Sequence, residues 1–149
     1  MLPYQEDAEN YQWVFEICTI EPAARQTMSV GALLEAFITF MKLGNVQDTS
    51  EPSLREVDQA EARRILTALL FRDLAYGSWT EFPMPRVVAV IEHLFQDFSA
   101  RPRYFTNGDF TPHPFRLRSW DPLTVHTFDT GLLLIDEQHI GILWATDDD

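Results

Sequence analysis

The spacing of apolar residues changes near residue 100, and this change restricts the folds open to the chain. Before Phe98 the apolar residues recur at the three-and-four spacing of amphipathic helices, whereas after Tyr104 they occur in short runs between Pro, Gly and Asn. Such segregation of helices and strands is typical of α+β proteins. The pattern therefore predicts three to four N-terminal helices packed on a small C-terminal antiparallel sheet that ends in a hairpin. The length of 149 residues predicts a single domain over 1–149.

Three helices can be placed from the sequence. Ser29 is a suitable N-cap for a helix over 30–41. A second helix covers 58–76 or starts earlier, at Leu54, and a third starts at Pro85, since proline suits a first helical turn. Their buried faces are predicted to consist of Val30, Leu33, Leu34, Phe37, Ile38 and Met41 in the first helix, Ile65, Leu66, Leu69, Leu70 and Leu74 in the second, and Val87, Val88, Ile91, Leu94, Phe95 and Phe98 in the third.

The segment over residues 11–20 fits two local structures. Its β-branched residues and the alternation of Trp13, Phe15 and Ile17 favour a strand. Helical spacing of apolar residues, with an acidic or amide N-cap just before them, favours a helix. We expect the helix. Its apolar face consists of Tyr11, Val14, Phe15 and Cys18.

A hairpin is predicted at the end of the chain, with residues 127–135 and 139–146 flanking a turn at 136–138. Both faces of this hairpin are apolar near the turn. One face can pack on the helices, and the other needs cover from this chain or from a partner. If Ile135 lies opposite Ile140, then Leu133 lies opposite Ile142 and Gly131 opposite Trp144 on one side, with Leu132 opposite Leu143 on the other.

The composition excludes several classes of function. With 23 acidic and 11 basic side chains the formal net charge is −12, which disfavours binding to the phosphates of a nucleic acid. The single cysteine cannot form an internal disulfide. The most apolar stretch, 30–41, contains Glu35 and is too short to span a membrane. The chain begins with acidic residues, unlike a secretory signal, so we expect a cytoplasmic protein without membrane contact.

No motif indicates a catalytic or metal site. The run Phe128-Asp129-Thr130-Gly131 resembles the active-site turn of aspartic proteases. That family is all-β and uses two such aspartates, whereas here one copy follows a largely helical stretch, so we expect a strand after an Asp-Thr turn. The four histidines lack the spacing of metal ligands, and neither a nucleophile motif nor a phosphate-binding glycine motif is present. We therefore expect neither catalysis nor a cofactor. The histidines are His93, His113, His126 and His139.

Charge is unevenly distributed in the last third of the chain. From Trp120 to Asp149 there are seven acidic residues and neither Lys nor Arg, and four arginines among aromatic residues precede this stretch. We expect these arginines to pair with the acidic hairpin and the aromatic residues to lie in the core. A ligand-binding loop over 101–118 is the alternative. The arginines are Arg101, Arg103, Arg116 and Arg118, and the aromatic residues are Tyr104, Phe105, Phe110 and Phe115.

A small acidic domain without a catalytic motif fits a protein that acts by binding another protein. Our hypothesis is a cytoplasmic immunity or inhibitor protein that neutralises a basic bacterial toxin, because an acidic surface is steered towards a basic cleft. The alternatives are a regulatory or scaffold protein, monomeric or homodimeric through the hairpin, and a small enzyme with a dispersed site. The predicted partner-binding residues are Asp136 and Glu137 in the turn, then Asp48, Glu51 and Asp58 beside a polar connector over 45–53, and finally Asp147 and Asp148 in the tail.

Overall fold

The computed structural model describes residues 11–41, 54–71, 83–98, 101–112, 115–124 and 127–148. Within these ranges the chain forms four helices and seven strands, which confirms the predicted α+β class. The helices are α1 (Pro22–Thr27), α2 (Val30–Met41), α3 (Gln59–Phe71) and α4 (Met84–Gln96). The strands are β1 (Tyr11–Thr19), β2 (Arg55–Val57), β3 (Arg103–Thr106), β4 (Gly108–Pro112), β5 (Phe115–Trp120), β6 (Phe128–Ile135) and β7 (His139–Asp147).

Five strands form one antiparallel sheet in the order β1-β7-β6-β3-β2, and β4 and β5 form a separate two-stranded arm. The β6–β7 hairpin lies inside the sheet and is paired on both edges. Its register is the predicted one and is set by the turn at residues 136–138, where the Asp136 N–H donates to the His139 carbonyl at 3.0 Å. The confirmed pairs are Ile135 with Ile140, Leu133 with Ile142, Gly131 with Trp144, and Leu132 with Leu143.

Both faces of the hairpin are covered by helices of this chain. Leu132 and Leu143 belong to a cluster with α3 and α4, whereas Leu133, Ile142 and Trp144 belong to a second cluster with α2. The two clusters lie on opposite faces because successive side chains of a strand alternate. Helices therefore pack on both sides of the sheet, and the second apolar face needs no partner protein.

The expectation of a helix over residues 11–20 is wrong, since this segment is the edge strand β1. Its pairing with β7 runs without a break, with Ile17 opposite Gly141. The alternating residues Trp13, Phe15 and Ile17 pack against the α3–α4 cluster, and the Trp13 indole N–H donates to the Leu69 carbonyl at 3.1 Å. The helical spacing of the apolar residues did not decide the structure of this segment. Pairing with β7, which is available only in the folded chain, favoured the strand.

The predicted starts of the first two helices can be compared with their caps. Ser29 Oγ accepts the Ala32 N–H at 3.1 Å, which confirms it as the residue that caps α2. Asp58 Oδ1 accepts the Glu61 N–H at 2.8 Å and caps α3 in the same way. The alternative start at Leu54 is wrong, because the following three residues form β2 and pair with β3. The predicted end of α3 lies outside the described residues.

The third predicted helix needs two corrections. It starts at Met84, one residue before Pro85, with Pro83 at the N-cap, and Pro85 lies in the first turn as predicted. Val88, which was predicted to be buried, is 51% exposed, because the buried positions Val87, Ile91 and Leu94 define a narrower face. The short helix α1 and the strands β2 and β4 were not predicted from the sequence.

Candidate functional site: an acidic edge of the sheet

The predicted partner-binding residue Asp136 builds the β6–β7 turn and is not presented to solvent. Its side chain is 2% exposed, and Oδ1 accepts the backbone N–H groups of Gln138 at 2.8 Å and His139 at 2.6 Å. An aspartate that bonds to the backbone two and three residues further on stabilises a tight turn. The next residue, Glu137, is exposed. The turn therefore presents the second of the two predicted carboxylates but not the first.

The predicted tail residues are held in the fold. Asp147 is the last residue of β7 and is buried, and Asp148 Oδ1 accepts the Thr127 N–H at 2.9 Å. The carboxylates of Asp147 and Asp148 lie at the end of the hairpin opposite its turn. Asp149 lies outside the described residues. The contact of Asp147 and Asp148 with a partner stays a prediction.

The remaining predicted residues lie around the connector between α2 and β2. Asp58 is exposed, but one of its oxygens is used to cap α3. Asp48, Glu51 and the whole connector over 45–53 lie outside the described residues. Of this second acidic group, the structure therefore places only Asp58, at the start of α3.

Two carboxylates missed from the sequence lie on the same side of the molecule as Glu137. The Ile20 N–H donates to the Gln138 carbonyl at 2.8 Å, which places Glu21 beside the turn that carries Glu137. Glu16 lies on β1 opposite Ile142, about 13 Å along the strand from Ile20. All three glutamates are exposed. We call this set, Glu16, Glu21 and Glu137, the acidic edge.

The signal for Glu16 and Glu21 was present in the sequence. Glu16 stands between the alternating apolar residues Phe15 and Ile17, so the strand interpretation of this segment places it on the opposite face from them. What the sequence did not show is which strand would pair with the segment. The helical interpretation therefore gave these two glutamates no common location with the hairpin turn.

On the far side of the sheet, carboxylates are matched with arginines. Glu56 accepts two hydrogen bonds from Arg103, at 2.8 and 2.9 Å, and these bonds lower the pKa of the Glu56 carboxyl. Asp109 is bonded by Arg118, which lowers the pKa of the Asp109 carboxyl. Two further pairs are Arg55 with Glu61 and Arg63 with Glu92, each at 2.5 Å.

These ion pairs show that the expected pairing of the arginines with the hairpin is wrong, and they distinguish this side of the sheet from the acidic edge. Arg103 and Arg118 were expected to pair with the acidic hairpin, but they bind carboxylates on β2 and β4 that are closer in the fold. Within the described residues, none of the three glutamates of the acidic edge takes part in an ion pair. The arginine ion pairs of the described residues therefore lie around β2, β3, the β4–β5 arm and the helices α3 and α4, whereas the three glutamates of the acidic edge have none, although Arg25 lies one helical turn after Glu21.

The aromatic residues near the arginines lie in or against the core, as expected. Tyr104 and Phe105 are buried, and Phe110 and Phe115 stack at 4.9 Å between centroids and pack against the α3–α4 cluster. The Arg64 guanidinium lies 4.4 Å from the Phe115 ring centroid. These rings are occupied by contacts within the chain, which disfavours the alternative of a ligand-binding loop over 101–118.

The Asp129 carboxylate lies at the centre of a buried polar network. It is 0% exposed and accepts the backbone N–H groups of Leu123 at 3.0 Å and Thr124 at 3.1 Å. The Thr124 hydroxyl donates at 3.0 Å, Asn107 Nδ2 at 3.2 Å and Trp144 Nε1 at 3.3 Å. Because a substrate cannot reach this group, the Asp-Thr-Gly run has a structural role and holds the loop before β6.

The described residues also bear on metal binding and on membrane contact. No group of three or more His, Cys, Asp and Glu side chains in the described ranges could hold a metal ion. None of the helices in those ranges is both long enough and apolar enough to cross a membrane. His93 and His139 lie in these ranges, whereas His113 and His126 do not.

Comparisons of this chain with protein-family models, with curated proteins and with solved structures found no match.

Proposed function

We propose that this chain is a non-catalytic inhibitor of the immunity-protein type, which acts in the cytoplasm by binding a basic bacterial toxin domain through the acidic edge. The observation that supports this most directly is the contrast in charge pairing. Four carboxylates away from β1 each form an ion pair with an arginine. In contrast, Glu16, Glu21 and Glu137 are exposed and have no ion-pair partner in the described part of the chain.

The acidic edge is well suited to rapid recognition of a cation-rich surface. The formal net charge of −12 attracts a basic protein at long range, and unpaired surface carboxylates provide the local contacts. The backbone that carries Glu21 and Glu137 is fixed by the Ile20–Gln138 hydrogen bond and by the buried Asp136 carboxylate. A surface that is already ordered loses little conformational entropy on binding.

The alternatives have less support. The homodimeric scaffold was suggested by an uncovered apolar face of the hairpin, and α2 covers that face. The enzyme hypothesis has its best motif at Asp129, whose carboxylate is buried and bonded to five donors. Neither observation leaves a specific reason to prefer these functions.

The first experiment uses the genome that encodes this chain. The genes directly next to it are expressed singly in a laboratory host, with and without this chain. We expect one neighbour to stop growth and co-expression of this chain to restore it. The proposal is wrong if the neighbours are harmless, or if a toxic neighbour is unaffected by this chain and does not bind it when both are purified.

The second experiment tests the acidic edge in the same pair of proteins. Glu137→Lys should weaken binding by about tenfold or more at low salt, mainly through a slower association rate. Glu92→Lys is the matched control, since it makes the same change in net charge on α4, in a glutamate that is paired with Arg63. Equal effects of the two reversals, or an association rate independent of salt, would refute the role of the acidic edge.

A further inference from the structure

β1 is the longer of the two terminal strands of the described sheet. β1 has nine residues and is the terminal strand on its side, whereas β2, the terminal strand on the other side, has three. A strand edge exposes a row of backbone N–H and C=O groups that can pair with a strand from another chain. The length of β1 makes it the better template of the two.

The register shows which backbone groups face outwards. Ile20 donates to Gln138 and thereby continues the β1–β7 pairing, so the even-numbered residues of β1 direct their backbone groups towards β7. The N–H and C=O groups of Phe15, Ile17 and Thr19 therefore point away from the sheet. None of these three residues has a further hydrogen bond in the described structure.

The side chains along this edge differ between the two faces of the sheet. Phe15 and Ile17 are only partly buried on the face that carries α3 and α4, whereas Glu16 is exposed on the other face. A strand added here would meet Phe15 and Ile17 on one face and, on the other, Glu16 between the partly buried Val14 and Cys18, with Glu21 and Glu137 near its end. A segment that alternates apolar and basic residues complements all of these groups.

A second copy of this chain is a poor occupant of the same edge. Antiparallel pairing of two β1 strands about their middle would bring Glu16 close to its own counterpart, and like charges on facing strands are destabilising. Each copy also carries a formal net charge of −12. Charge complementarity therefore favours a basic partner.

We propose that the outer edge of β1 binds an extended segment of the partner, with alternating apolar and basic side chains, as an added strand of the sheet. This inference rests on the proposed function, because it takes the partner to be a basic protein. The proposed function assigns only charged side chains to the binding surface, and this inference adds hydrogen bonds from the backbone of β1. The backbone groups of Phe15, Ile17 and Thr19 form the hydrogen bonds with this segment, and the Glu16 carboxylate pairs with one of its basic side chains.

The first test uses the purified full chain and a synthetic peptide of alternating lysine and valine, about five residues long to span residues 15–19 of β1. Amide hydrogen exchange is measured by NMR. We expect the amides of Phe15, Ile17 and Thr19 to exchange about tenfold or more slowly with the peptide, because they become hydrogen-bonded. The amides of Glu16 and Cys18 already face β7 and should not change.

Two matched peptides and one dilution series complete this test. A glutamate–valine peptide and a lysine–valine peptide with a central proline should both fail to slow these amides. The proposal is overturned if the lysine–valine peptide has no effect, if the effect lacks the alternation along β1, or if the glutamate peptide acts equally well. Protection that depends on the concentration of the chain alone would indicate pairing of two copies and would also overturn it.

The second test separates this proposal from the proposed function. In the toxin rescue assay, Thr19→Pro removes an outward N–H at an exposed position, and Thr19→Val retains it. We expect the proline variant alone to lose rescue while its unfolding curve stays close to that of the valine variant. Full rescue by Thr19→Pro, combined with loss of rescue by Glu137→Lys, would leave the inhibitor function intact and overturn the added strand. Failure of rescue by the unmodified chain, with the peptide result positive, would overturn the function alone.

Discussion

Replacement of Asp129 tests how far one buried carboxylate determines the structure around β6. The backbone N–H groups of Leu123 and Thr124 and the indole N–H of Trp144 all point at this carboxylate. A buried donor left without an acceptor costs about 1–3 kcal/mol. The Asp129→Ala substitution removes the acceptor for three such groups. Because water can enter part of the space left behind, we expect a loss of about 4 kcal/mol in the free energy of unfolding.

Asp129→Asn should have a smaller and more directional effect. Oδ1 accepts hydrogen bonds from Leu123, Asn107 and Trp144, whereas Oδ2 accepts those from Thr124. The asparagine side chain has one oxygen, and it stabilises most donors when that oxygen takes the Oδ1 position. The amide nitrogen then faces the Thr124 N–H. We expect a loss of about 2 kcal/mol and faster exchange of the Thr124 amide, with the Leu123 amide still protected.

The free energies of unfolding can be measured by urea denaturation followed by tryptophan fluorescence, and the two amides by hydrogen exchange. Asp97→Asn is the control, because this carboxylate is exposed at the end of α4 and its removal should change the stability by less than about 0.5 kcal/mol. Losses below about 1 kcal/mol for both Asp129 variants would refute the reasoning, since the donors would then have found other acceptors. Equal exchange of the two amides in Asp129→Asn would refute the assigned orientation.

The remaining predictions concern two glycines, the Glu56–Arg103 pair and the Cys18 thiol. A Cβ at Gly131 would lie 2.6 Å from Trp144 Cε3 and 2.7 Å from its Cα, so Gly131→Ala should lose about 3 kcal/mol or more in urea denaturation. Gly31→Ala, with nothing within 4 Å of the new atom on α2, should gain about 0.5 kcal/mol, and the opposite ranking would contradict this account. The pKa of the Glu56 carboxyl is lowered by Arg103, so the pair stabilises the fold above about pH 4.3, and this contribution is lost as the pH falls through the lowered pKa. Carbon-13 titration should show the Glu56 pKa rise towards its ordinary value in Arg103→Gln, and an unchanged titration would exclude the pairing. Burial raises the pKa of the Cys18 thiol, so its rate of alkylation should reach half of its maximum at a higher pH than that of a free cysteine peptide.

Local sequence determined the parts of this protein whose structure depends on near neighbours. The polar residues 136–138 between two apolar runs determined the hairpin and its register, because the position of the turn decides which residues lie opposite each other. Ser29 and the apolar spacing after it fixed α2, since a cap and an amphipathic face act within a few residues. The change from mainly helices before residue 98 to strands from residue 103 on followed from the same short-range patterns, with β1 and β2 as the exceptions.

Tertiary structure decided the features that depend on distant residues. Residues 11–19 became a strand because β7 offers a paired edge along their full length, and this pairing brought Glu16 and Glu21 to the side of Glu137. Of the acidic edge, the sequence identified only Glu137. Asp136 was predicted at the surface, but its turn draws the carboxylate inwards to accept two backbone N–H groups. A charged side chain pairs with the opposite charge that the fold brings within a few ångströms of it. That distance cannot be calculated from the spacing of residues along the chain.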